Sequence, residues 1–234
     1  MRVYTILHND IERVGVIEAW IERNGFESIQ VRPYAGEALP ELEQDAIVVI
    51  MGGEQSATDL ESYPYLKEEI AFIQQADQLG LPVFGVCLGA QLISIAFGGS
   101  VFRGKEKEMG EYPIELNSAA EHNSLFADWP KTPSVFHWHF DQIDPPKAAT
   151  VYASSPVCPV QAYSIGDRIF GLQFHLELTP ARAEALVSMF SNDLANPGPY
   201  TKSRSEILNA DFSAMNNLLL RLLDRWTLRL LTHN

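Results

Sequence analysis

The sequence predicts a three-layer α/β/α fold with a mostly parallel central sheet, and three observations carry that prediction. Short apolar runs rich in β-branched residues alternate with helical patterns, as a parallel sheet covered by helices on both faces requires. The run Ala46-Ile47-Val48-Val49-Ile50-Met51 is apolar throughout, which fits a strand buried on both sides. The 234 residues, 46% hydrophobic and 20% charged, suffice for one sizeable core but would crowd two full domains.

Residues 2–7 read as the first strand. A helix over 11–24 follows, ended by Gly25 where a left-handed cap favours glycine. Residues 28–31 and 46–51 read as the next two strands, the second stopping at Gly52-Gly53. From 64 to 79, Leu66, Ile70, Ile73 and Ala76 recur near helical spacing; Gly80 ends that pattern and 81–86 is apolar again, completing a crossover unit. Residues 90–97 read as a helix stopped by Gly98-Gly99.

The stretch 100–175 differs in character. Short runs at 112–116, 134–138 and 168–174 are separated by Pro, Asn and Asp turns, which predicts a small added region of antiparallel or mixed strands. A helix over 180–194 carries proline in its first turn, and 196–200 (NPGPY) reads as a loop. Over 205–232, Leu208, Phe212, Met215, Leu219, Leu222 and Trp226 are spaced alternately by four and three, an apolar stripe on one long helix. Residues 1–195 are thus assigned to the main domain, and 196–234 to a loop and amphipathic helix packed on it; the helix repeat also fits a subunit contact.

The formal charge of −13 repels phosphate backbones and anionic lipid, which argues against nucleic acid or a membrane surface as partner. No uncharged apolar stretch approaches the ~18 residues a membrane span needs. The N-terminal apolar run, broken at Thr5 and ended by His8, is too short for a signal-peptide core. A chain this large and apolar needs no disulfide framework, so Cys87 and Cys158 are expected as free thiols in a reducing compartment, the cytoplasm.

The most informative segment is Pro82-Val83-Phe84-Gly85-Val86-Cys87-Leu88-Gly89-Ala90-Gln91, an apolar strand running into Gly-x-Cys-x-Gly and then a helix. This is a thiol analogue of the Gly-x-Ser-x-Gly nucleophile elbow. A nucleophile raised on so tight a turn needs neighbours without side chains two residues before and after it, and Gly85 and Gly89 supply that space. The unpaired N–H groups and positive dipole end of the following helix favour thiolate over thiol.

A cysteine that cleaves an amide also needs a proton carrier, to support the thiolate and to protonate the leaving nitrogen. The apolar run 168–174 ends in His175-Leu176-Glu177. In extended geometry residues two apart project from one side, so the Glu177 carboxylate can lie beside the His175 ring and hold its tautomer. Both this pair and Cys87 sit at carboxyl ends of strands, which collect on one edge of an open α/β sheet.

Other groups invite weaker readings. His137 and His139 can present two imidazoles on one strand face, with Asp141 beyond them, but a third ligand at suitable spacing is not evident; no metal is assigned. Cys158, between Pro156 and Pro159, reads as structural or pocket-lining. Lys105-Glu106-Lys107-Glu108 reads as a solvated loop that can border the mouth of the site. There is no Gly-x-x-x-x-Gly-Lys phosphate loop.

With these residues in view, the chain resembles the class I glutamine amidotransferases, and in particular stand-alone proteins similar to the amidotransferase domain of GMP synthase. The resemblance runs over about 47–183. Its anchors are Met51-Gly52-Gly53, Gly85 to Gln91, Trp138-His139-Phe140-Asp141, and Gly171-Leu172-Gln173-Phe174-His175-Leu176-Glu177. It implies a flavodoxin-like three-layer fold, a triad of Cys87, His175 and Glu177, and oxyanion donors from the backbones of Gly53 and Leu88. It also implies substrate-side roles for Gln91, Gly52 and His139. The chemistry implied is formation of a γ-glutamyl thioester, release of ammonia and hydrolysis to glutamate, with no cofactor. The ammonia would leave or pass to a synthetase partner in trans.

Three departures bear on substrate rather than chemistry: Glu54 and Leu176 stand where proline is common, and Phe140 where glycine is common. Two other functions stay open, a hydrolase of γ-glutamyl peptides or amides with the same triad, and a catalytically silent regulatory subunit.

Overall fold

The computed structural model describes residues 1–11 and 14–232. Among these described residues the chain forms β1 (Arg2–Ile6), α1 (Val16–Arg23), β2 (Glu27–Val31), β3 (Ala46–Ile50), α2 (Tyr65–Gln78), β4 (Val83–Val86) and α3 (Leu88–Ala96). Then come β5 (Ser100–Pro113), β6 (Glu115–Leu116), α4 (Ser118–Glu121), β7 (Ser134–Asp144), β8 (Ala149–Ser154), β9 (Ala162–Ile165) and β10 (Ile169–Leu172). Three helices close the chain: α5 (Pro180–Met189), α6 (Arg204–Leu208) and α7 (Phe212–Thr232).

The main sheet runs in the order β2-β1-β3-β4-β10-β9-β8-β6. Its first five strands pair in parallel, and β9, β8 and β6 extend it antiparallel. Alternate residues along the parallel strands enter two cores. Val3, Ile47, Val49, Phe84, Val86, Phe170 and Leu172 lie in one, with Trp20 of α1 and Trp226 of α7. Tyr4, Ile6, Val48, Ile50, Val83 and Ile169 lie in the other, with Phe72 and Ile73 of α2 and Leu92 of α3. The period of two with both faces covered explains why these strands read as unbroken apolar runs. Outside the main sheet, β5 and β7 form an antiparallel ribbon whose register shifts between Arg103 and Glu108. The added strand region predicted for the middle of the chain is thus this ribbon together with the antiparallel extension.

Several predicted boundaries change. The helix expected over 11–24 spans Val16–Arg23; residues 12 and 13 lie outside the described residues. Gly15 stands at φ +57° before it, and the Val16 N–H donates to the Glu177 carbonyl, 3.0 Å away, so the helix starts where the chain meets that loop. The helix expected over 180–194 ends at Met189 and gives way to a 3₁₀ turn over Ser191–Leu194. Lys105 to Glu108 is part of strand β5, not a loop, and Glu108 is buried.

The single C-terminal helix is two. Asn209, whose Nδ2 donates to the Ser205 carbonyl, ends α6, and Asp211 accepts the Ala214 N–H at 3.0 Å, an N-cap that restarts the helix as α7. Along α7, Phe212, Met215, Leu219, Leu222 and Trp226 are buried, with the Trp226 ring 5.7 Å from Phe84. Asn216 on the same helix donates to the carbonyls of Leu176 and Leu178, at 2.7 and 2.9 Å, and so grips the loop that carries Glu177. No helix among the described residues is long and apolar enough to cross a membrane.

Candidate active site

Cys87 follows β4 and caps α3 at φ 50°, ψ −104°, a left-handed conformation that a non-glycine residue adopts only under constraint. The constraint is a turn too tight for side chains on either flank. A Cβ on Gly85 would stand 2.6 Å from the Gly89 carbonyl carbon, and one on Gly89 would stand 2.1 Å from the Ile50 carbonyl oxygen. The elbow is stitched to the neighbouring strand by the Cys87 N–H, which donates to the Leu172 carbonyl at 2.7 Å. Its thiol, 6% exposed, sits 3.9 Å from the Trp138 carbonyl oxygen and receives Gln173 Nε2 at 3.6 Å.

Because β10 runs parallel beside β4, with Leu172 opposite Val86, the chains leaving both strands emerge side by side. That brings His175 to Cys87. The His175 N–H donates to the Phe136 carbonyl at 2.7 Å, which fixes the backbone. Its Nδ1 lies 2.7 Å from Glu177 Oε1, and Glu177 Oε2 accepts the Leu176 N–H at 3.0 Å. Both side chains are almost fully buried. Burial alone would push the imidazole down; the Glu177 carboxylate, with hydrogen-bonding and charge contributions from Cys87, outweighs it and holds His175 well above its ordinary value.

On the other side of the thiol, the Leu88 N–H opens α3 and has no preceding turn to donate to. The Gly52-Gly53 loop lies against it: a Cβ on Gly53 would meet Leu88 Cδ2 at 2.8 Å and His8 Cβ at 2.5 Å. His8 holds this loop. Its Nδ1 donates to the Gly52 carbonyl at 3.1 Å, its Nε2 lies 2.8 Å from buried Glu69 on α2, and its own carbonyl accepts from Gln55 at 3.1 Å.

Cys87 opens into a cavity of about 720 Å³, lined also by Gly53, Gln91, Trp138, His139 and Phe140. Of the predicted site residues, then, Cys87, Gly53, Gln91 and His139 line this cavity, whereas His175, Glu177, Leu88 and Gly52 are buried and do not line it. At the mouth Arg103 lies 3.6 Å over the Phe140 ring and 3.2 Å from Asp141, and Lys105 and Lys107 line the rim. The Asp141 carboxylate pairs with Arg103 and accepts from Ser56 at 2.9 Å.

Sequence reasoning passed over Gln173. It links Gln91, which donates to it at 3.3 Å, to the Cys87 sulfur, so Gln91 acts on the site through a second amide. The available signal was a polar residue in an apolar strand, two positions before His175 and so on the same side. Also passed over were His8 with Glu69, and Glu108, which lies opposite His139 on β5. Cys158 is buried away from this chemistry; burial pushes its thiol up to about 12, and its sulfur lies 3.4 Å from the Val160 carbonyl. Both cysteines are free.

Residues 15–193 match the family model described as Glutamine amidotransferase class-I. The chain is 36% identical over 234 residues to the glutamine amidotransferase-like protein YfeJ of Salmonella typhimurium, covering 97% of this chain and 98% of that one. It is 33% identical over 151 residues to the glutamine-hydrolysing GMP synthase of Oceanobacillus iheyensis, a match that takes 64% of this chain but 26% of the synthase. The crystal structure of a glutamine amidotransferase from Thermotoga maritima superposes with a TM-score of 0.87 at 29% identity, covering 97% of each chain. On the match of sequence and fold together, this chain belongs to the class I glutamine amidotransferase family.

Proposed function

We propose that this protein is a thiol amidohydrolase that cleaves the γ-amide of glutamine through a γ-glutamyl thioester on Cys87. The observation that carries this reading is the environment of His175, whose charged form is favoured from one side by Glu177 and from the other by Cys87. In the proposed sequence the Cys87 thiolate attacks the γ-carbonyl, and the imidazolium of His175 gives its proton to the departing nitrogen as ammonia leaves. Neutral His175 then takes a proton from water, which attacks the thioester and releases glutamate. Glu177 holds the ring and supports its charge. The N–H groups of Leu88 and Gly53 receive the oxyanion in both steps, Gln91 and Gln173 position the sulfur, and His139 flanks the acyl group.

A second reading, hydrolysis of a γ-glutamyl peptide or amide, is favoured by one observation: the cavity extends past the thiol to a charged rim of Arg103, Lys105 and Lys107, with room beyond free glutamine. The synthase relative carries most of its length outside the matched region, so ammonia made here would go to a separate synthetase chain or be released.

Intact-mass analysis after brief exposure to glutamine and a panel of γ-glutamyl compounds tests the reading. The expected result is a γ-glutamyl adduct on the native chain, absent in Cys87→Ala, with the productive compound naming the substrate. Turnover that survives Cys87→Ala would overturn it.

A further inference from the structure

A second cluster lies beside the thiol cavity and shares with it only His139, which lines the cavity wall. In the β5–β7 ribbon Glu108 is directly opposite His139, and His137, two residues along, projects from the same face. All three are buried: Glu108 at 1%, His137 at 0% and His139 at 7% exposure. Their ligating atoms fall within 4.8 Å of one another. This supplies the third ligand that spacing along the sequence concealed.

The hydrogen bonding around these atoms runs the wrong way for an ordinary buried network. His139 Nδ1 lies 3.1 Å from the Asp141 carbonyl, which can only accept, so the ring proton is on Nδ1. Nε2 is then a lone pair, and it faces Glu108 Oε2 at 3.2 Å, lone pair against lone pair. A second ring proton would close this contact as an ion pair; without one, a shared cation does so. His137 Nδ1 is 3.9 Å from the same carboxylate oxygen, beyond hydrogen-bond reach of it. Among the described residues the second oxygen, Glu108 Oε1, has no hydrogen-bond partner. Buried polar groups are rarely left so. A cation among them would turn each lone pair into a bond.

The geometry points to a divalent transition-metal site at Glu108, His137 and His139, which clamps β5 to β7 behind the wall of the thiol cavity. Two imidazoles and one carboxylate are the ligand chemistry of zinc and its neighbours, whose donor atoms stand roughly 3.3 Å apart around the ion. The 3.2 Å separation already meets that spacing, the 3.9 Å one needs a small contraction, and the two imidazoles, whose ligating atoms lie within 4.8 Å, close toward the ion with them. The outer contacts are those of a metal site as well: the far nitrogen of His139 donates to a backbone carbonyl, and Gln161 Nε2 donates to Glu108 at 2.8 Å. Three protein ligands leave a fourth coordination position for water. The ion would fix the Trp138 to Asp141 segment that forms one side of the cavity, whatever the substrate of Cys87 proves to be.

The test uses the full chain carrying Cys87→Ala, so that the reactive thiol does not compete, stripped with a chelator and titrated with Zn²⁺ and with Co²⁺. The expected result is one equivalent bound per chain, a cobalt spectrum without a thiolate charge-transfer band, and a thermal midpoint raised by Zn²⁺. Glu108→Gln or His137→Gln should weaken binding more than about 100-fold, beyond the loss caused by outer-contact changes, and abolish the zinc-dependent rise. No stoichiometric binding, a cobalt–thiolate band, or equal binding by both variants overturns the site. Should the variants fail to fold, X-ray absorption of the zinc-loaded chain decides: two imidazoles with oxygen support it, whereas sulfur or fewer imidazoles refute it.

Discussion

Two buried clusters of histidine and carboxylate flank the thiol, and they are wired in opposite senses. Around Glu177 both oxygens are engaged, one by His175 and one by the Leu176 N–H. Around Glu108, among the described residues, one oxygen has no hydrogen-bond partner and the His137 ring stands 3.9 Å from the other. His175 and His137 are equally removed from water, yet the first is held well above its ordinary value and burial drives the second down to about 3. What separates them is the aim of the carboxylate. Glu177 is set 2.7 Å from a ring nitrogen and stabilises the imidazolium, whereas Glu108 is 3.9 Å from His137 and cannot offset the cost of charging a buried ring. The same residue types thus form two differently wired clusters, told apart by which atoms are already paired.

The sharpest way to break this comparison is to remove one carboxylate charge from each side. Glu177→Gln leaves the geometry nearly intact but no longer holds the donor tautomer of His175, and should lower kcat/KM for the productive γ-glutamyl substrate about 10⁴-fold. Glu108→Gln, acting only through the cavity wall, should cost about 10- to 100-fold. Steady-state kinetics of the two variants side by side settle the ranking; equal losses would merge the two clusters into one machine.

The next largest effect concerns the elbow that stands between them. Gly89→Ala puts a methyl group 2.1 Å from the Ile50 carbonyl oxygen, a backbone atom with nowhere to go. Urea unfolding should show a loss of at least about 3 kcal/mol. If the variant instead matches the parent in stability, the turn is looser than its glycines imply.

How far each cluster was legible in the sequence follows from how local it is. The elbow is written in five consecutive residues, Gly85 to Gly89, because the steric demand acts within a single turn. The His175–Glu177 pair is written in three. Glu108 joins His139 only through the register of β5 on β7, and that register contains a shift after Arg103, so no count along the chain could reach it. Its neighbours Lys105, Glu106 and Lys107 also disguised a buried residue as part of a charged loop. The apolar stripe of the C-terminal region ran unbroken through Leu208 and Phe212 and hid the stop at Asn209 and restart at Asp211, although an aspartate three residues before an amide it can cap was a usable sign.

A pH series sharpens the contrast from the side of His175. Its folded-state value is raised above the unfolded one, near 6.5, so folding favours the bound proton. That contribution is complete below about pH 6.5 and is lost as pH rises through the folded-state value. The stability gap between the parent and Glu177→Gln should therefore be widest at and below that pH and narrow on the alkaline side, as read from urea midpoints. A gap that widens with rising pH would mean that the ring is held neutral.

The smallest effect expected is at α7. Asn216 is the contact by which α7 holds the loop behind His175, and its two N–H donors end on carbonyls of Leu176 and Leu178, both residues buried. Asn216→Ala leaves those oxygens without that donor, which should cost about 1–3 kcal/mol in stability. If α7 also sets the catalytic geometry, kcat should fall by about tenfold with KM unchanged, since the ring of His175 is aimed by Glu177 and Glu177 sits between the two gripped carbonyls. A stability loss with kcat intact would reduce the C-terminal helix to a lid on the core; a matched loss would make it the third support of the proton-carrying cluster, one that the metal-binding ribbon does not share.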